Sequence, residues 1–153
     1  MSIEARLAGL GITLPEVSAP LASYLPVVVH GDLAFVSGQL PFIDGEVFTG
    51  TLGDGVSVEE AIPAARACGL MILAQLKAAL IPLDRVERVV KLGGFVASAP
   101  GFTDQHKVVN GASDLMFEVF GDKGRHARAA VGVPALPVGA AVEVDAVIAL
   151  APG

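Results

Sequence analysis

The chain has 153 residues, ten of them Lys or Arg and sixteen Asp or Glu, for a net charge of −6. That length suits one domain with a single substantial core. The acidic balance argues against a nucleic-acid track, because the only basic run is the short Lys123-Gly-Arg125-His-Ala-Arg128. Charged residues make up 17% and apolar residues 53%, against roughly 25% charged in an ordinary globular chain, so an oligomer that covers part of the surface is expected.

In chain order, residues 2–10 place Ile3, Leu7 and Leu10 at helical spacing, and Gly11 can end that helix. Pro15 and Pro20 keep the next segment extended or turning. The first 20 residues are the one candidate appendage, which leaves residues 21–153 as the domain. Val27 to His30, then Gly31-Asp32, then Leu33 to Ser37 reads as a hairpin, since Gly-Asp between β-branched runs favours a tight primed turn. Gly38-Gln39-Leu40-Pro41 ends that strand, and Ile43-Asp-Gly-Glu-Val47 suggests a second small turn.

Ser57 to about Leu80 is the strongest helix. Ser57-Val-Glu-Glu60 is a capping box, and Ile62, Ala65, Gly69, Ile72, Leu73, Leu76 and Leu80 form one stripe. Pro63 is awkward near the first turn, where its ring can kink the helix. The sparse charge predicts that both faces are covered. Val86 to Ala97 reads as a strand with Gly93-Gly94 as a bulge or a close backbone approach. Thr103 is placed to cap a second helix running to about Phe120, with Val108, Ala112, Leu115, Met116 and Val119 buried and Gly121 as its stop. Strands at 127–133 and 140–150 close the chain. In the last, Val142, Val144, Ala146, Ile148 and Leu150 point one way and Glu143 and Asp145 the other. The order is that of an α+β fold with two long helices against one mixed sheet.

The lone Cys68 excludes an intrachain disulfide and lies in an apolar helical run, so packing is its expected role. The N-terminus lacks the pattern of a signal peptide, and the apolar run from Gly69 to Ile81 is interrupted by Gln75 and Lys77 and is short for a bilayer, so a cytoplasmic protein is expected. His30, His106 and His126 stand far apart without metal-ligand spacing. Neither a dinucleotide fingerprint, a phosphate loop nor a Gly-x-Ser-x-Gly elbow occurs. No cofactor and no metal are therefore expected.

What is left is polar groups on apolar strands. Arg128 opens Arg-Ala-Ala-Val-Gly-Val-Pro, and a guanidinium among small apolar residues must find an anion or reach solvent. In a cleft its planar fork suits a carboxylate. The plainer alternative is an ion pair with Glu143 or Asp145, and spacing alone favours it. Glu143, mid-strand among valines, can face solvent, pair with a cation or position a water, and Asp145 can serve instead. Tyr24 precedes the first strand, Asn110 interrupts the second helix, and Gly38 follows Ser37 at a strand end where backbone can approach a ligand.

Two motifs carry a resemblance. Ser37-Gly38-Gln39-Leu40-Pro41 looks like the Ser-Gly-Gln-x-Pro strand end of the RidA/YjgF family of enamine/imine deaminases, also labelled the endoribonuclease L-PSP family. His126-Ala-Arg128-Ala-Ala-Val-Gly-Val-Pro-Ala-Leu136-Pro137, followed by Val142-Glu143-Val144-Asp145-Ala146, resembles its C-terminal signature. The order of elements agrees over about residues 20 to 150, and the N-terminal twenty residues resemble a longer bacterial subgroup.

The resemblance implies a chorismate-mutase-like α+β fold, a homotrimer with active sites in clefts between subunits, and hydrolysis of 2-aminoacrylate-type enamines and imines to 2-keto acids and ammonia. It implies that Arg128 binds the substrate carboxylate, that Glu143 holds the attacking water, that Tyr24 covers the ligand, and that Gly38 and Asn110 border it. Two positions depart: Ala130 stands where many members have Cys, and His126 where many have Pro. Two other readings compete, a non-catalytic trimer that binds small carboxylates and an endoribonuclease. The acidic charge and the 5% aromatic content weigh against the latter.

Overall fold

The computed structural model describes residues 1–17 and 23–153. Pro20, and the boundary placed after it, lie outside the described residues. The hairpin forms as β1, Val27–His30, and β2, Leu33–Gln39, paired antiparallel through Gly31 at φ 64°. A second small hairpin joins β3, Phe42–Ile43, to β4, Glu46–Val47, through Asp44 and Gly45, both at positive φ. That is the conformation a two-residue primed turn requires. Two further two-residue strands, β5 (Thr51–Leu52) and β6 (Gly55–Val56), have no counterpart among the elements expected from the sequence.

Helix α1 spans Ile3–Gly9 and is capped by Ser2, whose hydroxyl accepts from the Ala5 N–H at 3.1 Å. It is fastened to the domain. Leu7 is in the core, the Ile3 N–H donates to Asp84 at 2.9 Å, and Glu4 pairs with Lys77 at 3.0 Å. Helix α2 spans Val58–Ala78 and begins as its capping residue dictates, with the Ser57 hydroxyl accepting from the Glu60 N–H at 3.1 Å. It continues through Pro63. Its buried stripe starts at Ala61 and leaves Ile62 exposed. Leu80 lies past the helix end at φ 61° and is 88% exposed, so it is not part of the stripe. By length and composition α2 could cross a membrane, but 61% of its apolar stretch is buried within the fold, as in a core helix.

Strand β7 spans Val86–Ala97, helix α3 Gln105–Phe120, β8 Ala127–Val133 and β9 Val142–Leu150. The cap of α3 differs from expectation. Asp104, not Thr103, is the N-cap residue, and its side chain pairs with Lys107 at 3.4 Å instead of bonding a helix N–H. Gly93-Gly94 is a close approach and not a bulge. A Cβ on Gly94 would run into Val109 of α3, and the register shifts of β7 fall earlier, between Val86 and Lys91.

The five-stranded sheet has the order β1-β2-β9-β7-β8. β7 and β8 are parallel and the other pairs antiparallel. Both long helices cover one face. They can lie close because Gly111 of α3 faces the Ile62 carbonyl of α2, where any side chain would collide. Ala34, Val36, Leu92, Val96, Val144, Ala146 and Ile148 fill that face against Ile72, Leu73, Leu115 and Met116. The alternation along β9 therefore sends Glu143 and Asp145 to the opposite, uncovered face. Val28, Phe35 and Val131 are also left there, each 44–47% exposed.

Candidate functional site

The sheet separates the expected residues into two groups. The first gathers Tyr24, Gly38 and Glu143. Tyr24, 58% exposed, lies just before β1. Its segment is tied beside the end of β2, because the Ser37 hydroxyl donates to the Leu25 carbonyl at 2.8 Å and the Ser37 N–H to the Pro26 carbonyl at 2.9 Å. The pairing of β2 with β9 shifts register between Val36 and Gln39, which brings Gly38 against Glu143. A Cβ on Gly38 would lie 2.8 Å from Glu143 Cδ and closer still to Oε2, so the glycine leaves the notch that the carboxylate occupies.

Glu143 and Asp145 share this face, and burial raises both carboxyls above the ordinary range. For Glu143 the neighbouring charge of Asp145 adds to the rise. For Asp145 the Gly93 backbone N–H and Lys91 oppose it. A Cβ on Gly93 would meet Asp145, as one on Gly38 would meet Glu143. Asp145 is thus committed to its own strand neighbours, and Glu143 is the carboxylate beside the Tyr24 segment.

The second group gathers Arg128 and Asn110 on the covered side. Arg128 pairs with Leu92 across β7, and Leu92 with Ala146 of β9. Both are core residues, so the arginine emerges on the helix side of edge strand β8. There Nη1 donates to Asn110 Oδ1 at 2.8 Å and to Ser113 Oγ at 3.1 Å, and Nη2 donates to the His106 carbonyl at 3.3 Å. The expected alternative, an ion pair with Glu143 or Asp145, does not form. Those carboxylates lie on the other face, one strand away across β7, and among the described residues no carboxylate pairs with Arg128. Nη1 and Nη2 make these three contacts and Nε makes none among the described residues, so the guanidinium keeps donor capacity for a further acceptor such as a carboxylate.

Beside this guanidinium lies a cavity of about 340 Å³ whose lining includes Asn110, Ser113, Arg125, His126 and Arg128. His126 Nδ1 is 2.6 Å from the Gly124 carbonyl and Nε2 is 2.9 Å from Ser113 Oγ. Ser113 is not among the residues singled out from the sequence, although a residue three positions after Asn110 shares its helix face. A cavity of about 500 Å³ at the far end of β8 contains Asp54, Ser98 and Gln105 but no cation, and it takes in none of the expected site residues. Cys68 is buried, and burial pushes its thiol far up, as suits a packing residue. Among the described residues no three His, Cys, Asp or Glu side chains gather as a metal site.

The two groups do not converge within one chain. β9 and β8 are separated by β7, roughly 10 Å in all at ordinary strand spacing, and the side chains leave opposite faces.

Residues 4–149 match the family described as "YjgF/chorismate_mutase-like, putative endoribonuclease". The chain is 55% identical over 150 residues to Protein TCP17 of Trypanosoma cruzi, covering 97% of this chain and 94% of that protein. It is 32% identical over 139 residues to the RutC family protein y4sK of Sinorhizobium fredii, covering 91% and 96%. Among solved structures, Atu1372 of Agrobacterium tumefaciens, a protein described as having unknown function, superimposes with a TM-score of 0.89 at 50% identity, covering 97% and 93%. With this fold, these strand-end motifs and a match across nearly its whole length, the chain belongs to the YjgF/chorismate-mutase-like family.

Proposed function

We propose that this protein hydrolyses reactive enamines and imines of the 2-aminoacrylate type to 2-keto acids and ammonia. In this reading it needs no cofactor and works as a homotrimer. The observation that carries the proposal is the state of Arg128: a guanidinium on an edge strand, held by three neutral acceptors, with no carboxylate paired to it among the described residues and with Nε still to offer. Such a group is prepared for an anion from outside the chain.

The chemistry asks little more. Arg128 anchors the substrate carboxylate, and Asn110 holds the guanidinium from behind. The imine carbon is already electrophilic, so the protein need only orient it and deliver water. Glu143, with its carboxyl raised by burial, is a better base near neutral pH than an ordinary glutamate. It takes a proton from water as the oxygen adds to the C=N carbon. The protonated Glu143 returns that proton to the nitrogen of the resulting carbinolamine, and the ionised carboxylate then takes the hydroxyl proton as the C=O bond forms and ammonia leaves. Gly38 keeps the space that the Glu143 carboxylate occupies, and the Tyr24 ring covers the bound ligand.

The separation of the two groups supports the oligomer. If β8 of one subunit meets the β1–β2 edge of the next, Arg128 of the first faces Tyr24, Gly38 and Glu143 of the second. The contact is head-to-tail and closes as a ring. The exposed apolar residues on the bare sheet face suit burial in that ring.

The test is keto-acid and ammonia release from enzymatically generated 2-aminoacrylate. Turnover is expected; carboxylate binding without turnover would favour the non-catalytic reading instead. Co-assembly tests the shared cleft. When Arg128→Ala and Glu143→Gln subunits are refolded together in equal amounts, about one cleft in four should receive both wild-type residues and regain activity. No recovery would place both residues of each site in one chain.

A further inference from the structure

We infer that Ser113 and His126 are positioning residues for Arg128. They end a one-directional hydrogen-bond chain that fixes the guanidinium and is anchored at the Gly124 carbonyl.

Strand β8 reads Ala-Arg-Ala-Ala-Val-Gly-Val, so the neighbours of Arg128 on its own strand offer almost nothing that could hold a long side chain. β8 is also the sheet edge, with a neighbouring strand on one side only. An unrestrained arginine has several rotatable bonds and loses rotamer freedom on being fixed. The restraint must come from α3, and it comes from Asn110, Ser113 and the His106 carbonyl.

Of these three, Ser113 is the least defined by itself. A serine hydroxyl rotates, and inside a helix it readily turns back to a carbonyl of the preceding turn. His126 removes that freedom. The Gly124 carbonyl, 2.6 Å from Nδ1, can only accept, so Nδ1 carries the proton. In the neutral ring Nε2 then presents a lone pair, and the Ser113 hydroxyl 2.9 Å away must donate to it. That orientation turns the oxygen lone pairs of Ser113 toward Arg128 Nη1 at 3.1 Å. With the ring neutral, each group in the chain has one role, set from the Gly124 carbonyl outward.

The far end of the chain is rigid. Gly124 is buried, and a Cβ there would run into the Met116 carbonyl and lie 2.9 Å from the Phe117 nitrogen. The carbonyl that orients His126 is therefore packed against the backbone of α3, the helix that also supplies Asn110 and Ser113. The chain leads from the guanidinium, through two side chains, back to the same helix. Neither Ser113 nor His126 bonds to Nε–H or to the second Nη2–H. They act through Arg128 and not on a ligand.

The kinetic consequence rests on the carboxylate-anchor reading of Arg128, while the ordering of Arg128 does not, and the experiment separates them. Ser113→Ala removes the link, Ser113→Thr keeps a hydroxyl, and His126→Phe removes the orienting acceptor. Ala is a good helix former, so the first variant does not threaten α3. Nitrogen NMR of the intact assembly reads the His126 tautomer and the order of the Arg128 Nε–H group. The expected result is an Nδ1-protonated His126 in the wild type and a marked loss of Arg128 order in Ser113→Ala and His126→Phe, with Ser113→Thr close to wild type. With 2-aminoacrylate, KM should rise about tenfold in the two disrupting variants while kcat changes little, the pattern of lost uniform binding. An Arg128 as ordered in Ser113→Ala as in wild type overturns the inference, and so does a Ser113→Thr that behaves like Ser113→Ala. Lost order with unchanged KM supports the positioning and overturns the carboxylate-anchor reading, and lost order with no turnover even in the wild type supports the positioning and overturns the deaminase reading.

Discussion

Replacing Gly38 with alanine tests the placement of Glu143 with the smallest possible change. The backbone of Gly38 lies outside the left-handed region, so alanine is tolerated there in principle. The new methyl would lie 2.8 Å from Glu143 Cδ and 3.0 Å from Cγ, whereas ordinary contact begins at 3.4 Å. The carboxylate must therefore retreat by about 1 Å, a displacement that in an aligned site costs on the order of 100-fold in rate. Stability should hardly move. Glu143 is only partly buried and can swing aside at an off-rotamer cost of about 0.5–1.5 kcal/mol. Gly→Ala at a compatible position returns about 0.4–1 kcal/mol through the unfolded chain. The expected outcome is a Gly38→Ala protein with an unchanged melting temperature and KM, and with kcat for 2-aminoacrylate down roughly 30- to 100-fold. Combining it with Glu143→Gln should add little further loss, because both changes act on one carboxylate. A Gly38→Ala variant within threefold of wild type would refute the reasoning, and so would one that loses activity only because it unfolds.

The same assays check four further expectations. Arg128→Lys should fail nearly as badly as Arg128→Ala, each losing about 30- to 1000-fold in kcat/KM while remaining folded, since lysine keeps the charge and loses the fork. Because burial raises the Glu143 carboxyl, its ionised form opposes folding above the raised value and the opposition vanishes below the ordinary glutamate range. Glu143→Gln should therefore melt higher than wild type at neutral pH, with the gap closing as pH falls, and the acid limb of wild-type kcat/KM should lie above the ordinary glutamate value. Asp145→Asn should change thermal stability more than turnover, since Asp145 is engaged by Gly93 and Lys91. Full activity should survive chelators, and loss restored by one specific metal would contradict the mechanism.

What the sequence made legible was whatever has a local cause. Gly31-Asp32 set the first hairpin, Ser57 and Glu60 the start of α2, and the alternation from Val142 to Leu150 the faces of β9. Helix ends are less legible, because several neighbouring residues can serve as cap or stop. Asp104 in place of Thr103 stands at the start of α3 with its carboxylate on Lys107, and Leu80 falls outside α2, where the chain turns at positive φ and the Ile81 N–H donates to the Leu76 carbonyl. The two-residue strands β5 and β6 are too short to carry a periodic signal.

The site was legible residue by residue but not as an arrangement. Alternation assigns Glu143 a face, whereas β8 has only small residues around Arg128 and no alternation to read, so its face follows from the parallel register with β7 alone. That register is what turns a suspected ion pair into two separate half-sites. A lone arginine beside a buried carboxylate on the same face would neutralise it and leave nothing to bind. Placed on the edge strand β8 and the central strand β9, and on opposite faces, each keeps an unmet requirement: the guanidinium free donor capacity, the carboxylate a raised proton affinity. In the proposed ring both requirements would be met, where the β8 edge of one copy meets the β1–β2 edge of the next and a small carboxylate fills the gap. The proposed ring of identical subunits would account together for the low charge of the chain, the bare apolar sheet face and an arginine that meets no carboxylate among the described residues, and an assembly that left Arg128 remote from the Glu143 of its neighbour would remove that account.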